Sequence, residues 1–215
     1  MADLYGGLSS DLWFIMIGDM YRSKCEPSTE TYGLAFAPLR FDHFYNKWQF
    51  WLPVGLLAAS ASSYNKYNIT RYHLGSNLTE KQLKADAWQK YYMVGFGEEM
   101  FFRGAVMQYF YNSLSKDWGV TPGLARHLSV FGSAAVFGAA HNGAGFSATP
   151  FGAFGAGVYL GYTYMPEPGK EDLITAIALH AWWDIMVAYT VLNNSTFTES
   201  SSTVQVPLLS VAGNF

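Results

Sequence analysis

Five ionisable side chains lie within otherwise apolar stretches of this sequence. Glu98 and Glu99 fall in GFGEEMFFRGA, His141 in SAAVFGAAHNG, and His180 and Asp184 in TAIALHAWWDIM. If these stretches are helices in a bilayer, each ionised Asp or Glu costs about 2.5–3.5 kcal/mol at mid-membrane. Such a cost is normally tolerated for chemistry, so these side chains form the candidate functional site.

Glu99 and Arg103 can form an ion pair, because residues four apart share one face of a helix. Glu98 is rotated by about 100° from Glu99 and lacks that partner. The spacing therefore predicts a structural role for Glu99 in an ion pair. Glu98, in contrast, can hold a water or a metal and accept a proton. The alternative, a solvated helix face, is disfavoured by the apolar residues around the motif.

Both histidines share a helix face with a residue four positions away. His180 and Asp184 point to the same side, and Phe137 is expected to pack beside His141 and shield it from water. A lone buried histidine is more often a core residue whose hydrogen bonds are satisfied than a metal ligand. The acidic partner and the second histidine favour a functional site here.

Two histidines with carboxylates can bind a divalent metal such as zinc, or they can polarise a water directly. Both alternatives lead to hydrolysis. The possible metal ligands are Glu98, His141, His180 and Asp184. A serine or cysteine nucleophile has no support, because the sequence lacks a GxSxG elbow, and it also lacks a Walker loop, an HExxH helix and a Rossmann glycine pattern.

Composition favours a membrane protein. Hydrophobic residues make up 50% of the chain and charged residues 13%, against about 25% charged in an average soluble protein. No Lys, Arg, Asp or Glu lies between Arg126 and Glu167, a stretch that can hold two spans of about 20 residues. The prediction is an all-α, polytopic membrane helix bundle with a polar catalytic cluster inside; the alternative is a soluble domain with an apolar helical core.

Charge and cysteine content exclude other classes. The net charge of −3 comes with scattered Lys and Arg, so nucleic-acid binding is unsupported. Membrane lipid is the expected partner because of the low share of charged residues. Cys25 is the only cysteine, which excludes an internal disulfide framework and a thiolate metal site.

Helix signals divide the chain into three parts. Residues 1–47 are interpreted as an interfacial and irregular segment, residues 48–199 as the transmembrane helical core and residues 200–215 as a tail. Helices are expected at 48–64, from a Thr79/Gln82 capping box through residue 113, from Thr121 to His141 with a stop at Asn142-Gly143, at 149–164, and from about 171 to 193.

Three motifs in this order resemble the type II CAAX prenyl endopeptidase family, which includes the CPBP-type bacteriocin-processing and immunity proteins. They are EExxxR at Glu98–Arg103, FxxxH at Phe137–His141 and HxxxD at His180–Asp184. The resemblance covers about residues 79–193. It implies a membrane-embedded helical protease whose polar cluster opens to one membrane face.

The resemblance also implies roles for the site residues. Glu98 and His141 would activate the attacking water, and His180 with residue 184 would stabilise the oxyanion. Many family members have asparagine where this chain has Asp184, and an ionised aspartate cannot donate a hydrogen bond. Asp184 must then be protonated, orient His180 or bind metal. The family is usually described as a family of metalloproteases. These residues are equally consistent with a metal-free mechanism in which a glutamate activates the water.

The leading hypothesis is an endopeptidase of the bacterial inner membrane that cleaves a membrane-associated peptide or protein. Prenylation of that substrate does not follow from the resemblance. Two alternatives stay open: a non-catalytic scaffold or bacteriocin-immunity protein that retains the motifs, and an ion or proton carrier that uses Glu98 and His180 as a relay.

Overall fold

The structure is a computed structural model that describes residues 2–25, 31–64, 71–74, 79–141 and 150–199. Helices dominate, which confirms the all-α class. They are α1 (Ala2–Cys25), α2 (Thr31–Ala35), α3 (Phe41–Phe44), α4 (Trp48–Tyr64), α5 (Glu80–Glu99), α6 (Gln108–Asn112), α7 (Pro122–Ala140), α8 (Pro150–Tyr164) and α9 (Leu173–Asn193). A 3-10 turn spans Ala37–Leu39, and two π-helical segments span Met100–Met107 and Ser113–Asp117.

A capping box starts α5, as the sequence predicts. The Gln82 amide donates to Thr79 Oγ1 at 3.2 Å, and the Thr79 amide donates to the Gln82 side chain at 2.9 Å. The predicted long helix does continue past Glu99, but as π-helix over Met100–Met107. The wider π turn changes which side chains share a face, and such segments occur frequently at functional sites.

Small residues allow α7 and α8 to pack closely. α7 begins at Pro122 and its C-cap is His141; Thr121 precedes it but makes no side-chain capping bond. The predicted Asn142-Gly143 stop lies outside the described residues. A Cβ at Gly157 of α8 would lie 3.1 Å from Ala134 Cα of α7, so glycine permits this contact.

The central helix is α9, and α4, α5 and α8 pack around it. Its first turn is capped by Asp172, whose side chain accepts a hydrogen bond from the Thr175 amide at 3.2 Å. Lys47 and His43 contact the same carboxylate at 2.5 and 2.8 Å. The segment before α4 is thereby attached to the start of α9.

The N-terminal part is more regular than the sequence suggested. Short helices fill most of residues 31–47, a stretch interpreted as irregular, and Trp182 of α9 donates to the Pro38 carbonyl at 2.8 Å. α1 packs against α5 and the first π segment. The exposed side chains described on α1 include five large apolar ones: Leu12, Trp13, Met16, Ile17 and Met20.

Two short strands were not predicted. β1 (Arg71–Leu74) pairs in parallel with β2 (Thr196–Glu199), and Arg71 lies opposite Thr196. This pair links the connector after α4 to the residues that follow α9. It adds a small element to the helical bundle and leaves its class unchanged.

Among the described helices, α9 alone is long and apolar enough to cross a bilayer by length and composition. The uncharged stretch between Arg126 and Glu167 predicted two further spans, which α7 and α8 do not confirm by this criterion. α8 has 15 residues, or about 22 Å at about 1.5 Å per residue, against a hydrocarbon core of about 30 Å. α7 is longer, but Arg126 and His127 and several small residues reduce its hydropathy.

Candidate active site

Side chains from three helices meet at Glu98. Glu98 lies near the end of α5, His141 follows α7, and His180 and Asp184 lie within α9. Glu98 Oε2 is 3.5 Å from His141 Nε2 and 3.8 Å from His180 Nε2. Asp184 Oδ2 is 3.5 Å from the same His180 nitrogen. The structure thus gathers the four predicted catalytic residues into one cluster.

Close packing of α5 on α9 positions two members of the cluster. A Cβ at Gly95 would lie 2.5 Å from the Ala181 amide nitrogen and 2.8 Å from Ala181 Cβ. Gly95 is one turn before Glu98, and Ala181 directly follows His180. A larger residue at position 95 would therefore separate Glu98 from His180.

Glu99 connects the ion pair to the histidine of α9. Its Oε1 accepts a hydrogen bond from Arg103 at 2.7 Å and another from His180 Nδ1 at 2.7 Å. Arg103 also donates to the Gly157 carbonyl of α8 at 3.1 Å. Both charged side chains are almost completely buried. Glu99 therefore orients His180 as well as pairing with Arg103. The contact between Glu99 and His180 was not predicted, because these two residues are far apart in the chain.

Phe137 lies between the charged groups of the site. Its ring centroid is 4.2 Å from that of His141 and 6.0 Å from that of His180. The Arg103 guanidinium lies 4.7 Å from the same ring centroid. Phe102 packs edge-on against Phe137 at 4.9 Å. The aromatic ring therefore shields both histidines on one side.

The hydrogen bonds of His141 determine which of its nitrogens faces Glu98. Nδ1 lies 2.8 Å from the Phe137 carbonyl, which can only accept, so Nδ1 carries a proton. Nε2 then faces Glu98. Glu98 Oε2 is itself buried and accepts no hydrogen bond from the described residues. This arrangement offers one carboxylate oxygen and one imidazole nitrogen to the same small space.

Asp184 lies on the opposite side of the His180 ring from Glu99. Since Nδ1 is held by Glu99 at 2.7 Å, orientation of the ring does not require Asp184. Asp184 is partly exposed, and together with His180 it lines a cavity. Of the three roles left open for Asp184, orientation of His180 is therefore the least needed.

No group of three His, Cys, Asp or Glu side chains in the described part of the chain is arranged to hold a metal ion. The cluster has the donor types that zinc prefers, two imidazoles and two carboxylates. Their present arrangement does not form a coordination shell.

One further carboxylate approaches the cluster from α1, and the motifs did not reveal it. Asp11 is 4% exposed, and its Oδ2 is buried without a hydrogen bond to the described residues. A Cβ at Gly97 would lie 3.2 Å from Asp11 Cα, so α1 crosses α5 one residue before Glu98. Its charged neighbours include Glu98, Lys90 and His180. An acidic residue next to the apolar Leu12–Ile17 run is the sequence signal that could have identified it.

A cavity of about 320 Å³ begins at the polar cluster. His180, Asp184 and Phe137 are among its lining residues. α4, α8 and α9 contribute the remaining lining residues, which are Pro53, Gly152, Gly155, Ala156, Tyr159, Leu160, Leu179 and Trp183. The cavity therefore connects the catalytic candidates with an apolar space.

A carboxylate with one buried oxygen that faces two imidazoles in a helical bundle is an arrangement suited to a hydrolase that activates water. Residues 86–186 match the family model described as type II CAAX prenyl endopeptidase Rce1-like. The match confirms the resemblance indicated by the motifs, and this segment is of the Rce1-like type. That family consists of integral membrane proteases, which supports a membrane protease here. No curated protein and no solved structure gives a significant match.

Proposed function

We propose that this protein is a membrane-embedded endopeptidase in which Glu98 and His141 activate a water to cleave a peptide bond of a membrane-associated substrate. The observation that carries the proposal is the convergence of two imidazole nitrogens on one buried oxygen of Glu98, at 3.5 and 3.8 Å. Separations of this size are too long for good direct hydrogen bonds, so the carboxylate oxygen and both nitrogens remain available to a water beside them.

The attack step uses Glu98 as the base. A water held by Glu98 Oε2 and His141 Nε2 transfers a proton to Glu98, and its oxygen forms a bond to the carbonyl carbon of the substrate. The carbonyl π electrons move to oxygen and produce a tetrahedral oxyanion. When the C–N bond breaks, the proton held by Glu98 passes to the departing amine. The products are a carboxylic acid and an amine, so the step consumes one water.

His180 and Asp184 are placed to stabilise the oxyanion. The Nδ1–H of His180 is donated to Glu99, so Nε2 is the nitrogen that faces the reacting group. A proton on Nε2, or on the Asp184 carboxyl, would supply the hydrogen bond that the oxyanion needs. The chain thus has separate groups for water activation and for charge stabilisation.

Glu98→Gln tests the proposal directly. The amide keeps the shape of the side chain and loses its basicity, so we expect a loss of at least about 100-fold in kcat on a mixed peptide library, with the purified protein still folded. Glu167→Gln is a matched control, because Glu167 is an exposed loop residue paired with Lys170. Full activity of Glu98→Gln would refute the assignment of the base. Absence of cleavage by the wild type would instead favour a non-catalytic scaffold.

A further inference from the structure

The N-terminal helix α1 lies against the backbone directly before and directly after the Glu98–Glu99 pair. A Cβ built at Gly97 would lie 2.9 Å from the carbonyl oxygen of Asp11 in α1. A Cβ built at Gly18 of α1 would lie 2.5 Å from the Met100 carbonyl oxygen and 2.8 Å from its carbonyl carbon. Positions 97 and 100 flank the two glutamates. The position of α1 therefore limits where these carboxylates can lie.

Two further contacts hold α1 in this place. The ring of Phe14 stacks on that of Phe101 in the first π segment, with 4.7 Å between the centroids. Near the end of α1, Arg22 Nη1 lies 3.6 Å from Glu171 Oε2, and both side chains are mostly buried. Glu171 lies just before α9, which carries one of the two histidines of the cluster. α1 thus contacts both the segment that follows the glutamates and the residues that lead into the histidine helix.

A polar side chain of α1 indicates that this helix does more than cover the bundle. The Asp11 carboxyl is buried, its Oδ2 accepts no hydrogen bond from the described residues, and its charged neighbours include Glu98 and His180. Burial of a carboxyl group without a hydrogen-bond partner is unfavourable. Close packing of helices requires only small or apolar residues. Asp11 therefore associates α1 with the polar cluster.

We propose that α1 is part of the active-site scaffold and that Gly18 is a positioning residue, which acts through the Met100 backbone on the Glu98–Glu99 pair. This inference rests on the proposed function. It extends the site to a helix, Ala2–Cys25, that lies outside the family match over residues 86–186.

The expected displacement is large enough to affect catalysis. Carbon–oxygen contacts are normally about 3.3–3.6 Å long, so a side-chain carbon at position 18 requires a movement of about 1 Å between α1 and Met100. Glu99 Oε1 and His180 Nδ1 are only 2.7 Å apart. A movement of this size next to Glu99 breaks that hydrogen bond or moves His180 away from Glu98.

Gly18→Ala tests the inference, because it adds the Cβ and nothing else. We expect kcat per folded molecule on a mixed peptide library to fall by about 10- to 100-fold. KM should change little, since Gly18 does not line the cavity beside His180. A purely structural role for Gly18 would lower the yield of folded protein and leave kcat of the folded fraction unchanged, which would overturn the inference.

Gly55→Ala on α4 is the matched control. A Cβ at Gly55 meets no atom within 4 Å, so kcat should stay at the wild-type value. Equal losses in the two variants would contradict the role of Gly18. If Gly18→Ala does not fold, Phe14→Leu replaces it, because it removes the ring stack on Phe101 without adding a clash. Its kcat should fall by about 3-fold or more, and an unchanged kcat would overturn the inference.

A measurement without substrate separates this inference from the proposed function. In protein labelled with 15N-histidine, the proton on His180 Nδ1 should give a resonance protected from exchange by its bond to Glu99, identified by its absence in His180→Gln. Gly18→Ala should shift or broaden this resonance, and Gly55→Ala should not. That result supports the positioning role even if the wild type cleaves nothing. Cleavage by the wild type, with kcat and the His180 resonance both unchanged in Gly18→Ala, would reject the role of α1 and retain the protease.

Discussion

At the scale of single residues, Glu99 has two partners through one oxygen atom. Its Oε1 holds Arg103 and His180 at 2.7 Å each, deep inside the molecule. A buried ion pair costs desolvation, so its net stabilisation is small while it is intact. Loss of one partner is expensive, because the remaining charge is buried alone. Arg103 therefore affects stability and, through Glu99, the orientation of His180.

Arg103→Ala should lower the free energy of unfolding by about 3–5 kcal/mol. The measurement is thermal or denaturant unfolding in detergent, compared with Glu98→Gln. Lys84→Ala is the control, because Lys84 and Glu80 form a partly exposed pair of the same spacing at 2.7 Å; its loss should cost at most about 0.5 kcal/mol. Equal stability of the two variants would show that Arg103 carries no such role.

Asp184→Asn should keep much of the activity if Asp184 donates a hydrogen bond to the oxyanion. The amide supplies an N–H without requiring a proton on a carboxyl group. If Asp184 instead ligates a metal, the variant should lose metal affinity and activity together, and a chelator should inhibit the wild type. We expect the first outcome. A chelator-sensitive wild type combined with an inactive variant would contradict it.

At the scale of elements, the start of α9 is fixed by Asp172. Burial opposes ionisation of this side chain, but hydrogen bonds from Lys47, Thr175 and His43 outweigh it and hold the pKa of the carboxyl below its usual range. A pKa that is lower in the folded state means that the charged form stabilises the fold. Asp172 thus joins the segment before α4 to the helix that carries His180 and Asp184.

Acidification should weaken this junction. The stabilisation by Asp172 is complete above the unfolded pKa of about 3.9 and is lost as the pH falls through the lower folded pKa. At pH 7, Asp172→Asn should lower the unfolding free energy by about 1–3 kcal/mol, and its stability should change less than that of the wild type below about pH 4. Asp42→Asn is the control, since Asp42 forms only an exposed contact with Arg40 at 3.3 Å.

At the scale of the whole molecule, apolar side chains cover the outside of the bundle. α1 exposes Trp13 and Met20, α4 exposes Trp51 and Leu56, and α7 exposes Phe131. Such broad apolar surface is unfavourable in water and is typical of proteins that contact a membrane or a large partner. Together with the match to a family of integral membrane proteases, it supports lipid around these helices.

If lipid surrounds these helices, two exposed tryptophans should differ in how strongly their fluorescence is quenched from within the bilayer. Trp13 is 59% exposed on the apolar face of α1, and Trp118 is 76% exposed in the turn before α7. In vesicles with bromine deep in the acyl chains, Trp13→Phe should reduce the quenched share of fluorescence more than Trp118→Phe does. Equal reductions would place the face of α1 outside the hydrocarbon.

Much of the helical architecture could be predicted from residues that are close together in the sequence. The bounds of α4, the capping box of α5 and the proline at the start of α7 follow from apolar runs and terminal residues that are neighbours in the chain. The pairing of Glu99 with Arg103 depends only on helical spacing. The strand pair was not predictable in this way, because it joins residues that are far apart in the chain. The π segments were not predicted either.

The sequence by itself determined the all-α class, most helix bounds and the resemblance to a membrane protease family, because helix periodicity and motif spacing are local properties. Only the tertiary structure decided that Glu99 orients His180, that Asp11 of α1 lies beside the cluster, and that an apolar cavity passes Gly155. These features depend on how helices are aligned against one another. That alignment is set by close contacts such as Gly95 with Ala181 and Gly157 with Ala134, between residues that are far apart in the sequence.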